Sequence, residues 1–145
     1  MYSHKHGTIS ITPIEGPNAG KKIVCRSNTK ASFDPAQKTT YGKGANGKNV
    51  FIAEGSPEPK LTMDFSSGEE STRIAMFCGR GNRCTISHVY KTPNLPLMSY
   101  RHRHAKISSG GGYDSDDGAG VTGKLEWMML DVDRKAGTGG WEVVI

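Results

Sequence analysis

His102 and His104 stand two apart in "LMSYRHRHAKIS", so in an extended strand they face the same way and could chelate a metal or share acid-base work. Either use needs a third ligand or a nucleophile. The remaining imidazoles are His4, His6 and His88, and no Ser-His-Asp or Cys-His spacing assigns one of them as that partner. Cys78, Cys84 and His88 resemble a fragment of a zinc site, but no second ligand pair follows at finger-like spacing. Asp114, Asp116 and Asp117 precede Gly118 as in the start of a calcium loop, yet the twelfth position counted from Asp114 is Leu125 and the flanks read as strands. Turn-forming acids account for them better. The glycine-rich "YGKGANGKN" and "SGGGYD" do not join a strand to a helix through a terminal Lys-Ser/Thr, which makes them poor phosphate-loop candidates. No catalytic residue, metal site or cofactor is expected, and the chain reads as a non-enzyme.

The elements that must position these residues belong to one domain, residues 1–145. Only 34% of the residues are hydrophobic, while Gly contributes 19 and Pro 7, so the core is thin and many positions serve turns. A partner is expected to complete what the monomer cannot bury. The three cysteines, Cys25, Cys78 and Cys84, are an odd number in a chain without a signal-like start, which favours buried free thiols over a disulfide framework. No run of about 18 apolar residues reads as a membrane span, so no membrane partner is expected and the default location is the cytoplasm. The formal charge of +5 is concentrated early: Met1 to Val50 carries eight Lys or Arg against Glu15 and Asp34.

Short alternating runs dominate. "TISITPI" and "KKIVCRS" flank the turn-forming "EGPNAG" and predict a hairpin, while "KLTMDFS" turns Leu61, Met63 and Phe65 inward. "SSGEESTRIAMFCGRGN" changes period: Ser66 or Ser67 caps a short amphipathic helix, Glu69 and Glu70 sit at its positive end, and Gly79 or Gly81 stops it. "CTISHVY", "LMSYRHRHAKIS", "VTGKLEWMMLDVD" and "GWEVVI" resume strand character, the last being too apolar to lie in water. Strict alternation in "LMSYRHRHAKIS" predicts a strand with two polar faces, His102 and His104 on one and Arg101 and Arg103 on the other. The expected architecture is mainly β, an antiparallel β-sandwich or partial barrel. One short α-helix packs against it, and a long loop or extended hairpin lies near residues 28–49.

That order of parts is "GTISITPIEGPNAGKKIVCRS", the long "NTKASFDPAQKTTYGKGANGKN", the turn and strand "AEGSPEPKLTMDF", the helix "GEESTRIAMFCG" and the paired strands ending in "VTGKLEWMMLDVD". It resembles the tail tube proteins of long-tailed bacteriophages, which share their fold with type VI secretion tube proteins. The resemblance implies a structural virion protein, assembled in the host cytoplasm, whose subunits form hexameric rings by joining sheets edge to edge. The rings stack into the inner tube of the phage tail, and the lumen conducts DNA during ejection. Tail sheath, tape measure, baseplate and tail terminator proteins are the implied further partners.

On this resemblance Lys30, Phe33, Lys38, Tyr41, Lys43 and Lys48 form an inter-ring contact loop. The strands Lys60 to Phe65, Cys84 to Tyr90, Leu97 to Ser108 and Val121 to Val132 form the barrel. Asp64, Arg101, His102, Arg103, His104, Glu126 and Asp131 then face a neighbouring subunit or the lumen. Because tube lumens are commonly acidic and this chain is basic, the basic loop and Arg101 or Arg103 are expected to face the next ring, a sheath or the outside. The alternative is a small β-barrel domain binding single-stranded nucleic acid through the same basic strand, although only Tyr100 is there to stack on bases. A metal-dependent hydrolase built on His102 and His104 is a third reading.

Overall fold

The computed structural model describes the backbone of residues 1–34, 39–43, 49–54, 59–129 and 141–144, and the side chains of 1–34 and 59–129. After a 3-10 turn at His4–His6, strand β1 (Gly7–Pro13) turns Ile9 and Ile11 inward. The predicted hairpin forms between β1 and the two-residue β2 (Ile23–Val24), with Ile11 opposite Ile23. Next come β3 (Asn28–Asp34), β4 (Thr39–Lys43), β5 (Asn49–Glu54) and β6 (Lys60–Phe65). Helix α1 (Gly68–Cys78) is followed by β7 (Cys84–Tyr90), β8 (Met98–Gly110), β9 (Asp114–Asp116), β10 (Gly120–Met129) and β11 (Trp141–Val144).

The principal sheet runs β2-β1-β7-β8-β10-β6-β3, with β9 added to β10 and β11 to β8. Every pairing is antiparallel. The four strands expected to build the barrel are consecutive neighbours at its centre, β7-β8-β10-β6. β3 lies three places from β8 along this path, which in a flat sheet would hold them about 14 Å apart. The Phe33 ring of β3 nevertheless sits 4.6 Å from the His102 ring of β8. The sheet therefore curls over its own inner face and encloses a core of Ile9, Ile11, Met63, Phe65, Ile86, Leu125 and Trp127. Among the described residues no ladder closes it: β2 and β3 remain its two ends, although only Cys25 to Ser27 separate them in the chain. The expectation of a mainly β sandwich with one packed helix is met.

Helix α1 is set down on β10 by small residues and by its caps. The Ser67 hydroxyl accepts the Glu70 backbone N–H at 3.4 Å, and Gly79 ends the helix at φ 76°. Ser71, Ile74, Ala75 and Cys78 are buried beneath it. Close approach depends on Gly123 of β10, where an added Cβ would lie 1.9 Å from the Ser71 hydroxyl oxygen.

One expectation needs correcting. Strict alternation fails in β8 at His104, which adopts φ 56°. Cys84 pairs with Ala105 but Ile86 with His102, so two steps along β7 match three along β8, the signature of a bulge. The extra residue reverses the phase, so that His102, Ala105 and Ile107 are all buried while Arg101 and Arg103 are exposed. β8 has one apolar face, not two polar ones. Of the long loop or extended hairpin expected near residues 28–49, the hairpin form is seen in β4 and β5, whose ladder pairs Gly42 with Val50, and it is preceded by β3, which is part of the principal sheet.

Candidate assembly surfaces

The face of the sheet turned away from the core carries charges in register. Lys30 of β3 stands opposite Asp64 of β6, and Asp64 stands opposite Lys124 of β10. Asp34 is paired with Lys60, whose ammonium bridges to Glu126 at 3.0 Å. That lysine's hydrogen bond holds the Glu126 carboxyl below the usual carboxylate range. Opposite charges on facing strands attract, so Asp64 and Glu126 are matched within their own sheet. Arg101 and Arg103 extend the same face onto β8 and are exposed. The outcome is a broad polar face of mixed sign.

Lys30 and Phe33, expected in a loop, belong to this sheet: Lys30 is exposed and Phe33 is half-buried. Tyr41 and Lys43 lie on β4, the first strand of the separate hairpin. Lys38, Lys48 and Asp131 lie outside the described residues.

The bulge separates the two histidines that sequence spacing had paired. His102 points into the core, 2% exposed, whereas His104 occupies the bulge itself. The buried ring joins an aromatic cluster instead. His88 lies 4.2 Å from Tyr90, His4 is 5.7 Å from His88, and Tyr90 meets Tyr100 edge-on at 6.2 Å. Phe33, His88, Tyr90, Tyr100 and His102 line a cavity of about 280 Å³. Burial pushes both His88 and His102 down to about 4, and the neighbouring imidazole adds to each shift. Among the described residues no three His, Cys, Asp or Glu side chains gather around a metal-sized space. The contacts of these imidazoles are mostly with other rings, which suits a packed core. The acids after β8 act as turn formers: Asp116 Oδ1 accepts the Gly118 backbone N–H at 2.7 Å.

A surface absent from the sequence reading lies on the outward side of α1. Glu69, Thr72, Arg73, Met76, Phe77, Tyr113 and Val121 line an apolar groove of about 660 Å³. Met76 is 79% exposed, Tyr113 70% and Val121 49%, an unusual concentration of apolar area in contact with water. The available signal was the methionine on the polar side of an amphipathic helix. Beyond Arg73 the surface becomes basic, where Lys22, Arg26 and Arg73 flank Ile23 and Val24.

An open antiparallel sheet with one docked helix, polar on its outer face and apolar beside the helix, defines the class of this protein as a β-sandwich with one packed helix. Chains in several solved structures share this fold. One is in the cryo-EM structure of an extracellular contractile injection system, the PVC sheath/tube terminator in its extended state. There the TM-score is 0.61 with 14% identity, covering 97% of this chain and 94% of that one. A chain in the anti-feeding prophage baseplate, 6-fold symmetrised, matches with a TM-score of 0.57 and 10% identity, covering 99% of this chain and 95% of that one. A chain in the anti-feeding prophage tube-terminating cap gives 0.57 and 14%, covering 94% and 87%. No protein-family model matches the chain, and no curated protein matches it by sequence.

Proposed function

We propose that this protein is a structural subunit of a phage-tail-type particle, and that it forms the inner tube by stacking of hexameric rings whose lumen conducts DNA. The observation that carries this reading is the likeness over nearly the whole chain, 97% of this one and 94% of the other, to a chain in a contractile injection system. The surfaces support it. Among the described residues β2 and β3 each pair on one side only, leaving strand edges for a neighbouring subunit, and the β4–β5 hairpin is a separate ladder suited to contact between rings. The groove at Met76, Tyr113 and Val121 supplies apolar area for the same association. On this reading Lys30, Phe33, Lys38, Tyr41, Lys43 and Lys48 contribute to contacts between rings. Asp64, Arg101, Arg103, His104, Glu126 and Asp131 contribute to subunit or lumen surfaces, and sheath, tape measure, baseplate and terminator proteins are its further partners. His102, being buried, is assigned to the core.

Negative-stain electron microscopy of the purified protein at high concentration tests the proposal. Hollow rings or tubes are expected, and the double variant Met76→Asp/Val121→Asp should remain folded but lose them. A monodisperse monomer at every concentration would overturn the tube reading. Salt-sensitive binding of oligonucleotides by that monomer would favour a nucleic-acid-binding domain instead.

A further inference from the structure

Two surface features on opposite flanks of α1 match in charge. On one flank the Thr72 hydroxyl donates to the Gly111 carbonyl at 3.0 Å, next to the point where β9 begins. β10 pairs with β6 from Gly123 onward and with β8 from Leu125 onward, so Gly120 to Thr122 have β9 alone as a partner among the described residues. The two strands thus form a short tongue that projects past the end of the sheet, and every residue from Gly112 to Val121 is exposed. The tongue carries Asp114, Asp116 and Asp117, with no Lys or Arg between Lys106 and Lys124. On the other flank Glu70 reaches the backbone of Arg26, and Lys22, Arg26 and Arg73 line a cleft of about 560 Å³ beside Ile23 and Val24 of β2. Among the described residues none of these three cations, and none of the three tongue carboxylates, enters an ion pair. The Glu70 carboxylate is committed to the backbone N–H groups of Arg26 and Ser27. Like charges gathered without counter-charges repel one another, and each cluster supplies what the other lacks. Arg73 also lines the apolar groove, whose other members Tyr113 and Val121 stand at the base of the tongue, so groove and cleft are one continuous surface.

We propose that the cleft at Lys22, Arg26 and Arg73 takes the acidic tongue of a second copy of this chain, Asp114 to Asp117, in a head-to-tail contact. The occupant is a second copy because one chain carries both halves of the match, held apart by its own helix. The strands agree with the charges: β2 and β9 each have an unpaired edge among the described residues. Laying the β9 of one copy along the β2 of the next pairs those two edges and brings the carboxylates over the basic side chains. Val24, 37% exposed beside the cleft, and Tyr113, 70% exposed at the base of the tongue, are apolar groups that the contact covers. Each docked copy still offers a free tongue or a free cleft, a heterologous arrangement that closes into a ring or runs on as a filament. The proposal rests on the ring reading and names a contact that joins one subunit to the next.

Sedimentation velocity of the full-length protein over a range of concentrations tests the contact with two charge-reversed variants. Asp114→Lys/Asp117→Lys keeps Asp116, which accepts the Gly118 N–H, and Lys22→Glu/Arg73→Glu keeps Arg26, whose backbone meets Glu70. All four substituted side chains are exposed, so the thermal midpoints should stay within a few degrees of the parent. The parent should associate, and each variant alone should associate at least about tenfold more weakly. An equimolar mixture of the two variants should recover association, because every tongue then meets a cleft of opposite sign. Variants that associate as the parent does, or a mixture that fails to recover, would overturn the contact. Negative-stain images of the same samples keep the two readings apart. Hollow rings formed equally by the parent and both variants sink the contact alone. Oligomers that recover on mixing but never enclose a lumen support the contact and sink the tube reading, and a parent that stays monomeric sinks both.

Discussion

Glu70 Oε1 accepts the backbone N–H of Arg26 at 2.6 Å, and the same carboxylate takes the N–H of Ser27 at 3.2 Å. These donors lie in the three-residue link where the chain leaves β2, at one end of the sheet, for β3 at the other. A single helical side chain thus fastens the crossing that lets the sheet curl. Glu70→Ala should cost about 2 kcal/mol in urea unfolding, because two part-buried amide donors lose a charged acceptor. Glu70→Gln, which keeps one carbonyl oxygen, should cost roughly 1 kcal/mol.

The two buried histidines predict loss of stability in mild acid. His88 and His102 have an ordinary value of 6.5 and are pushed to about 4 when folded. Between these values the unfolded chain binds more protons than the folded one. Their contribution is therefore complete above pH 6.5, falls as the pH drops, and is gone below about 4, a loss of up to about 3 kcal/mol for each ring. Urea midpoints measured from pH 7.5 to pH 4 should show this decline, and His102→Leu should flatten it. Parallel profiles for the variant and the parent would refute the assignment.

His104 holds a left-handed conformation, φ 56°, to make the bulge in β8. Glycine adopts that conformation without strain, while a β-branched residue resists it. His104→Gly should leave the thermal midpoint unchanged or raise it, whereas His104→Val should destabilise by about 1–3 kcal/mol. Equal behaviour of the two variants would show that β8 tolerates loss of the bulge.

Gly123 sets the distance between helix and sheet. Its Cβ position lies 1.9 Å from Ser71 Oγ and 2.8 Å from Ser71 Cβ, so Gly123→Ala must lift α1 from β10. A cost of about 1–3 kcal/mol is expected from overpacking. Ser71→Gly in the same chain removes both clashing atoms, and a double-mutant cycle by calorimetry should show strong non-additivity. Additive costs would mean that the helix does not bear on this glycine.

Much of the fold was legible because local chemistry and tertiary packing agree. Leu61, Met63 and Phe65 alternate in sequence and are buried in β6, and Ser67 and Gly79 bound α1 as their side-chain oxygen and left-handed backbone allow. The surfaces were less legible. Met76 sits on the polar side of the helix, and only the placement of Tyr113 and Val121 beside it makes a groove. His102 and His104 misled because alternation presumes a regular ladder, whereas the bulge is specified by the register between β7 and β8.

By itself the sequence determined the strand-rich class, the single helix with its caps, and the inward set of β6, since these follow from period, capping and propensity within a few residues. The tertiary structure decided which strands became neighbours, how Glu70 reaches Arg26, and which histidine is buried. Those outcomes depend on pairing between residues far apart in the chain or on the exact closure of a turn, and alternation along one segment carries no information about the register of the next.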